Sequence, residues 1–397
     1  MIKDELAQWL HEDDANTPEA RVVRVMSERG AVSASELTRA TGLARSTISN
    51  ALTELRRTKV IVAALAADPA RGVGRPASAF ALNPRAGTCF GVHMSLDCIR
   101  TIVADVSHSV ICEQTLPLGL DYTPKAAVDA VRSSLREMFD QQGLSLRTLL
   151  GVGLSFSGPV APDGRILRAS IVPTWAGVNV RDAFEPALRQ PIYADNESNC
   201  AALAEMTWGS AVGVEDFVLF TLDLGVGGAI VNHGRVVSGA AGGAGEFGHM
   251  TIDPAGDLCR CGNRGCLELS ASFLPAVATA SRHFGRPVEI EELLALAHEG
   301  HVGCARLVED TARAAGRGLG MIGAALNPSL VLIGGRGALA GETLLAPLRQ
   351  SYDRHTLIKY KDVPDSLRTR FEMARFAAQG PLMGAVALVL RRHGRLN

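Results

Sequence analysis

A chain of 397 residues, 47% hydrophobic and 20% charged, is long enough for two or three domains with sizeable apolar cores and too apolar for a disordered protein. Its longest apolar runs, Val60 to Ala67 and Pro381 to Leu390, fall short of a membrane span, and the opening MIKDELAQWLHEDD has no signal-peptide core. The expectation is therefore a cytoplasmic protein with no membrane partner. The net charge of −1 hides an asymmetry: between Ala20 and Arg85 eleven Lys/Arg against four Asp/Glu leave +7, so everything else sums to −8. A small basic segment joined to an acidic body is the electrostatic footprint of a nucleic-acid module attached to something else.

Taken in chain order, residues 1–17 form an acidic helical arm around Trp9 from which no function can be read. Residues 18–85 read as a winged helix-turn-helix. Arg21 to Met26 carries an apolar stripe at helical spacing, Ser33-x-x-Glu36 is a capping box for a second helix through Ala40, and Gly42 breaks the chain before helical periodicity resumes over Ala44 to Arg57. That third helix presents Arg45, Ser46, Thr47, Ser49 and Asn50 at its N-terminal end, where short polar side chains reach base edges and phosphates from the major groove, while Ile48, Leu52 and Leu55 face inward. An apolar strand over Val60 to Ala66 and a second through Leu82 flank a turn holding Arg71, Gly72, Gly74, Arg75 and Pro76, so Arg71 and Arg75 form a wing tip suited to phosphates or a narrow minor groove. The partner expected is a double-stranded DNA operator; a helical protein-docking module is the bland alternative.

From Ala86 onward β-type and helical runs alternate: a hairpin over Cys89 to Asp105, a helix over Ala126 to Phe139, buried strands at Leu149 to Phe156 and Leu330 to Ile333. Such alternation argues for α/β layers. Glycine turns at Ser157-Gly158, Gly225 to Gly228, Gly242 to Gly245 and Gly334-Gly335 end these strands, as expected where backbone approaches a small ligand. The stretch Glu246 to Glu268, EFGHMTIDPAGDLCRCGNRGCLE, offers His249, Cys259, Cys261 and Cys266, one imidazole and three thiols. This is the donor set of a closed tetrahedral site for Zn²⁺, structural because four protein ligands leave no position for water. The other cysteines, Cys89, Cys98, Cys112, Cys200 and Cys304, read as reduced core thiols.

The zinc loop with its preceding Glu-Phe-Gly-His, the segment Asp195 to Glu205 (DNESNCAALAE), the Gly153 to Pro159 turn, and Asn327-Pro328 before Gly334-Gly335 together resemble the ROK family of repressors, open reading frames and kinases. The attached winged helix places the resemblance on the transcriptional-regulator branch. It implies an α/β, two-lobed actin-like (ribonuclease-H-like) domain with a sugar cleft, usually in homodimers or homotetramers. The first lobe would span 86–195, completed by a C-terminal helix at 380–397, and the second 196–379. Carried over by position, Gly158, Ser170, Asn196, Glu197, Glu246, His249 and Glu268 would line the sugar pocket, with His249 also binding zinc.

Against the family's kinases the chain departs at three places. The general-base Asp is Glu197; the first phosphate loop, Asp-x-Gly-Gly-Thr, reads His93-Met94-Ser95-Leu96-Asp97; and the second, Gly-Thr-Gly, reads Asp223-Leu224-Gly225, adding a carboxylate where phosphates would sit. The expectation is a non-enzymatic, sugar-responsive transcriptional regulator, most often a repressor; the alternative is a divergent or bifunctional ATP-dependent sugar kinase.

Overall fold

In the computed structural model the described residues are 6, 9–10, 17–64, 79–95, 98–120, 122–167 and 173–391. Most of the acidic arm, the wing tip with Arg71 and Arg75, and Asp97 and Ser170 lie outside them. The chain divides into two compact units, 1–197 with 382–397, and 198–381.

The first unit opens with three helices, α1 (Pro18–Arg29), α2 (Ala34–Thr41) and α3 (Arg45–Arg57), and a small sheet in the order β1-β3-β2, made by β1 (Val32–Ser33), β2 (Ile61–Ala64) and β3 (Ala79–Leu82). Each helix start has a local cause. Thr17 caps α1 by accepting from the Ala20 N–H at 3.2 Å, ahead of Pro18 in the first turn. Ser33 caps α2 as a full capping box: its Oγ accepts from the Glu36 N–H, and the Glu36 carboxylate accepts the Ser33 N–H at 2.7 Å. The Ser33 hydroxyl, which donates to Glu36 Oε2 at 2.6 Å, and then the Ser33 N–H hold the Glu36 carboxyl below its ordinary range. Gly42, left-handed at φ 68°, ends α2. Replacing Ser33 with Ala removes one cap acceptor and should cost about 1 kcal/mol of the module's stability; a urea melt with an unchanged midpoint would contradict this.

The same unit continues as a five-stranded sheet in the order β6-β5-β4-β7-β8, with β4 (Thr88–Met94), β5 (Cys98–Asp105), β6 (Val110–Pro117), β7 (Leu149–Phe156) and β8 (Ile192–Asn196). The β4–β5–β6 meander is antiparallel and β4–β7–β8 parallel. One face packs on α4 (Pro124–Gln141) and α5 (Val180–Leu188) through Val131, Leu135, Phe139 and Phe184. Cys98 and Cys112 sit half-buried on β5 and β6, at the outer side of the sheet, and are not the core thiols expected; Cys89, Cys200 and Cys304 are buried.

The second unit begins one residue into α6 (Glu197–Trp208) and repeats the topology: β11-β10-β9-β12-β13, from β9 (Phe217–Leu222), β10 (Val226–Asn232), β11 (Arg235–Val236), β12 (Leu330–Gly334) and β13 (Arg370–Met373). Again an antiparallel meander joins a parallel pair. Ala201 and Ala202 of α6 cover one face. The other carries α7 (Glu268–Ala271), α8 (Leu274–Phe284), α9 (Ile290–His298), α10 (Val302–Leu326) and α11 (Glu342–His355).

The last helix, α12 (Gly380–Arg391), starts in the second unit and ends in the first. It lies so close on the first sheet that a Cβ at Gly153 would fall 1.8 Å from the Ala385 carbonyl oxygen, which explains glycine in the middle of a strand. At its end Arg391 reaches Glu28 of α1 at 3.1 Å. Among the described residues no helix is long and apolar enough to cross a membrane.

Candidate functional site

On α3, Ile48, Ala51, Leu52 and Leu55 are buried at helical spacing, which turns the opposite face outward. Arg45, Ser46, Ser49 and Asn50 are exposed there and Thr47 is half-buried. Ala44 at the N-cap supplies no side-chain acceptor, so the first N–H groups of α3 remain open beside the Arg45 guanidinium. Open amides, a cation and short hydroxyls at a helix start are suited to a phosphate backbone. Strands β2 and β3 pair from Ile61↔Leu82 to Ala64↔Ala79.

Further along the first unit, Asn196 ends β8, and its Nδ2 donates to the Gly158 carbonyl at 2.9 Å. Glu197 starts α6; its Oε2 accepts from Ser157 Oγ at 2.5 Å and lies 3.7 Å from His93 Nε2. His93, buried on β4, has Nδ1 within 3.2 Å of Ser155 Oγ. The Glu197 carboxylate is thus held in a Ser–Glu–His cluster. From the residues alone His93 has meaning only as part of a degraded phosphate loop; its place opposite Ser155 comes from the pairing of β4 with β7.

The second unit carries Glu246, His249 and Glu268. The turn from Glu246 to His249 leads into a compact loop closed by the bridges Thr251↔Cys266 and Leu258↔Arg264. Gly265, at φ +60°, lets the loop double back: a Cβ there would meet the Asp253 carbonyl oxygen at 1.6 Å. The ligand atoms of His249, Cys259, Cys261 and Cys266 all lie within 4.8 Å of one another, a group that could hold a metal ion. Cys259 Sγ is 3.6 Å from His249 Nδ1, and Cys261 Sγ is 3.6 Å from Cys266 Sγ. Burial lowers the His249 pKa, with Glu268 opposing and Arg260 adding, which favours the neutral imidazole a metal requires.

Glu268 is 8% exposed, and its Oε2 accepts the Val226 N–H at 3.1 Å and Arg260 Nη2 at 3.0 Å. Glu246 is half-buried without such bonds among the described residues. Burial pushes its carboxyl above the usual range, the charge of Glu268 adds to that, and Arg260 opposes it. Arg260 lies between two candidate ligand cysteines and was not read from the sequence as a site residue; a cation in a loop otherwise bounded by carboxylates was the available signal.

Asp223 does not stand as the free carboxylate expected beside a phosphate. Arg336, just after Gly334-Gly335, gives it two guanidinium nitrogens, Nη2 at 2.5 Å and Nε at 3.0 Å, and its own N–H at 3.0 Å. Burial alone would raise the Asp223 pKa; the side-chain and backbone hydrogen bonds and the charge of Arg336 outweigh it and hold the carboxyl below its usual range.

The xylose repressor of Caldicellulosiruptor bescii is 24% identical over 93% of this chain and 94% of its own. The glucokinase of Streptomyces coelicolor is 30% identical over 68% of this chain and 88% of its own. A solved ROK family transcriptional regulator, described as a homolog of the E. coli MLC protein, superposes with a TM-score of 0.73 at 23% identity, covering 94% of this chain and 96% of that one. The ROK family model matches residues 89–392, and with that span of the chain accounted for, the protein belongs to the ROK family.

Proposed function

We propose that this protein is a sugar-responsive DNA-binding transcriptional regulator, a repressor whose operator affinity changes when a sugar or sugar derivative binds. The observation that carries this reading is coverage. The xylose repressor matches over 93% of the chain, too much to leave out residues 18–85, whereas the glucokinase matches 68%. In this reading residues 18–85 are a winged helix-turn-helix in which Arg45, Ser46, Thr47, Ser49, Asn50, Arg71 and Arg75 contact DNA. Gly158, Ser170, Asn196, Glu197, Glu246, His249 and Glu268 engage the sugar, because carboxylates and an amide discriminate hydroxyl positions. The working form is a cytoplasmic homodimer or homotetramer, so that two reading heads meet two half-sites.

The metal proposed for the loop is structural Zn²⁺. Three thiols and an imidazole are its preferred donors, and a tetrahedron with Zn–S of about 2.3 Å has edges of about 3.8 Å, close to the 3.6 Å between Cys261 and Cys266 Sγ. His249 would bind through Nδ1, the nitrogen facing Cys259.

The alternative, an ATP-dependent sugar kinase, draws on the glucokinase relative and on the neutralisation of Asp223 by Arg336. Fluorescence anisotropy of the protein on DNA from upstream of its own gene, with a sugar panel and with or without MgATP, separates the two. One sugar should shift operator affinity by about five- to a hundredfold without ATP. Glu246→Gln should abolish that shift while leaving DNA binding intact. A full response from the variant sinks the pocket assignment, and a shift that needs MgATP transfers the case to the kinase.

A further inference from the structure

A groove of about 400 Å³ lies between α8 and α10 within the second unit, and its wall begins at Ser270 and Ser272, directly after the segment that carries Glu268. Its floor is small and apolar, formed by Ala276, Leu307 and Ala314. Two of its lining hydroxyls are anomalous. Ser272 is 2% exposed and Thr311 4%, yet among the described residues neither side chain makes a hydrogen bond. Thr311 is mid-helix, where a threonine ordinarily bonds back one turn, as Thr207 does to Leu203 at 2.6 Å and Thr279 to Pro275 at 2.9 Å. Neither oxygen is among the described polar atoms wholly shut off from solvent, so each opens to the groove, where water or a ligand hydroxyl completes it.

The charges around the groove are equally uneven. On α10, Arg306 pairs with Glu309 and Asp310, and Arg313 pairs with Glu309. Arg317, one turn beyond Arg313 and exposed at the same groove, has no ion pair among the described residues. An unmatched guanidinium beside two unmatched hydroxyls is suited to an oxyanion carried on a hydroxylated body.

We propose that this groove is a second effector site, which takes a small polyhydroxylated anion, a sugar phosphate or a sugar acid. Arg317 binds the anionic end, and Ser272 and Thr311 bind hydroxyls. The site is placed to influence the first one. Next to Arg317, Gly318 packs so tightly on Leu267 that a Cβ there would meet Leu267 Cδ2 at 2.3 Å, and Leu267 directly precedes Glu268. A ligand that draws α10 and Ser272 together therefore loads the short helix on which Glu268 sits.

Calorimetric titration of the full-length protein with glucose 6-phosphate, gluconate and glucose tests this. One of the two anions should bind saturably to the wild type and to Glu246→Gln alike. Arg317→Ala and Thr311→Val should each weaken that binding roughly tenfold or more, with unchanged melting curves, because the first is an exposed helix position and the second keeps the side-chain shape. Binding of glucose 6-phosphate alone assigns a sugar phosphate, and of gluconate alone a sugar acid. If neither anion binds saturably, or if both substitutions leave binding unchanged, the proposal is overturned. Anion binding lost in Glu246→Gln but kept in Arg317→Ala also overturns it, since the ligand then occupies the Glu246 site.

Discussion

Cys266→Ser should leave the purified protein without metal and lower its melting temperature by about 10 °C. Cys266 is 1% exposed and Cys259 2%, whereas most of the loop around them is exposed, Leu258 at 64% included, so the loop has little apolar core of its own to hold it together without an ion. Without an ion, burial together with the neighbouring Cys261 and Cys259 pushes the Cys266 thiol up to about 12. A divalent cation reverses that preference, since thiolates are the ligands and their protons leave as the metal binds. Binding should therefore weaken as pH falls and release protons measurable in buffers of different ionisation enthalpy. The melting shift follows from a loss of about 3 kcal/mol or more, at roughly 2–4 °C per kcal/mol for a unit of this size. Elemental analysis should give about one zinc per wild-type chain and close to none for the variant. A wild-type protein that melts at the same temperature with and without chelator would show that the loop needs no metal.

Arg336→Ala should cost about 3 kcal/mol at pH 7, and the cost should shrink on acidification. Both side chains of the Asp223–Arg336 pair are about three-quarters covered, at 28% and 23% exposure, so removing the guanidinium strands a largely buried carboxylate. The sign follows from the direction of the shift. In the wild type the folded Asp223 pKa is depressed, so the pair's contribution is fully present above the unfolded carboxylate value of about 3.9 and is lost as pH drops through the lower folded value. In the variant the backbone N–H groups of residue 336 and Leu224 still donate, but the guanidinium's hydrogen bonds and charge are gone, so the folded pKa rises above the wild type's and acid relieves the strain instead. Urea melts of both proteins at pH 7 and near pH 4 should converge at the lower pH; a difference that stays constant or grows contradicts the pairing. Because Asp223 also accepts the Phe273 N–H through its carbonyl at 2.8 Å, the variant should loosen the start of α8 as well.

These two predictions mark the boundary of what the residues alone disclose. Ser33 and Glu36 stand three apart and satisfy each other locally, so their helix start was legible from spacing, as were the inward Ile48, Leu52 and Leu55. The ligand group at His249 and Cys259 to Cys266 was legible for the same reason: a loop of that length can close on one ion with nothing from elsewhere. Asp223 and Arg336 are 113 positions apart, and neither residue type says that it has a partner, so the sequence offered a carboxylate where the fold holds a neutral pair. Strand β1, two residues long, has no alternation to detect and exists because Val32 and Ser33 meet Phe80 and Ala79 across the module. The Glu197 cluster likewise depends on β4 and β7 lying side by side, a fact of topology that no local pattern carries.

The way α12 returns to the first sheet also sets a clock for biosynthesis. Its residues Leu382, Ala385 and Val386 press on Gly91 and Gly153, whose strands are finished by Phe156. At ~5–20 residues per second, a ribosome needs roughly 10–45 s to pass from Phe156 to Leu382. For that interval one face of the first sheet waits without its helix, while the rest of the first unit and then the whole second unit are made. A stop codon just before α12 should therefore injure a sheet made early in the chain, not the part made last.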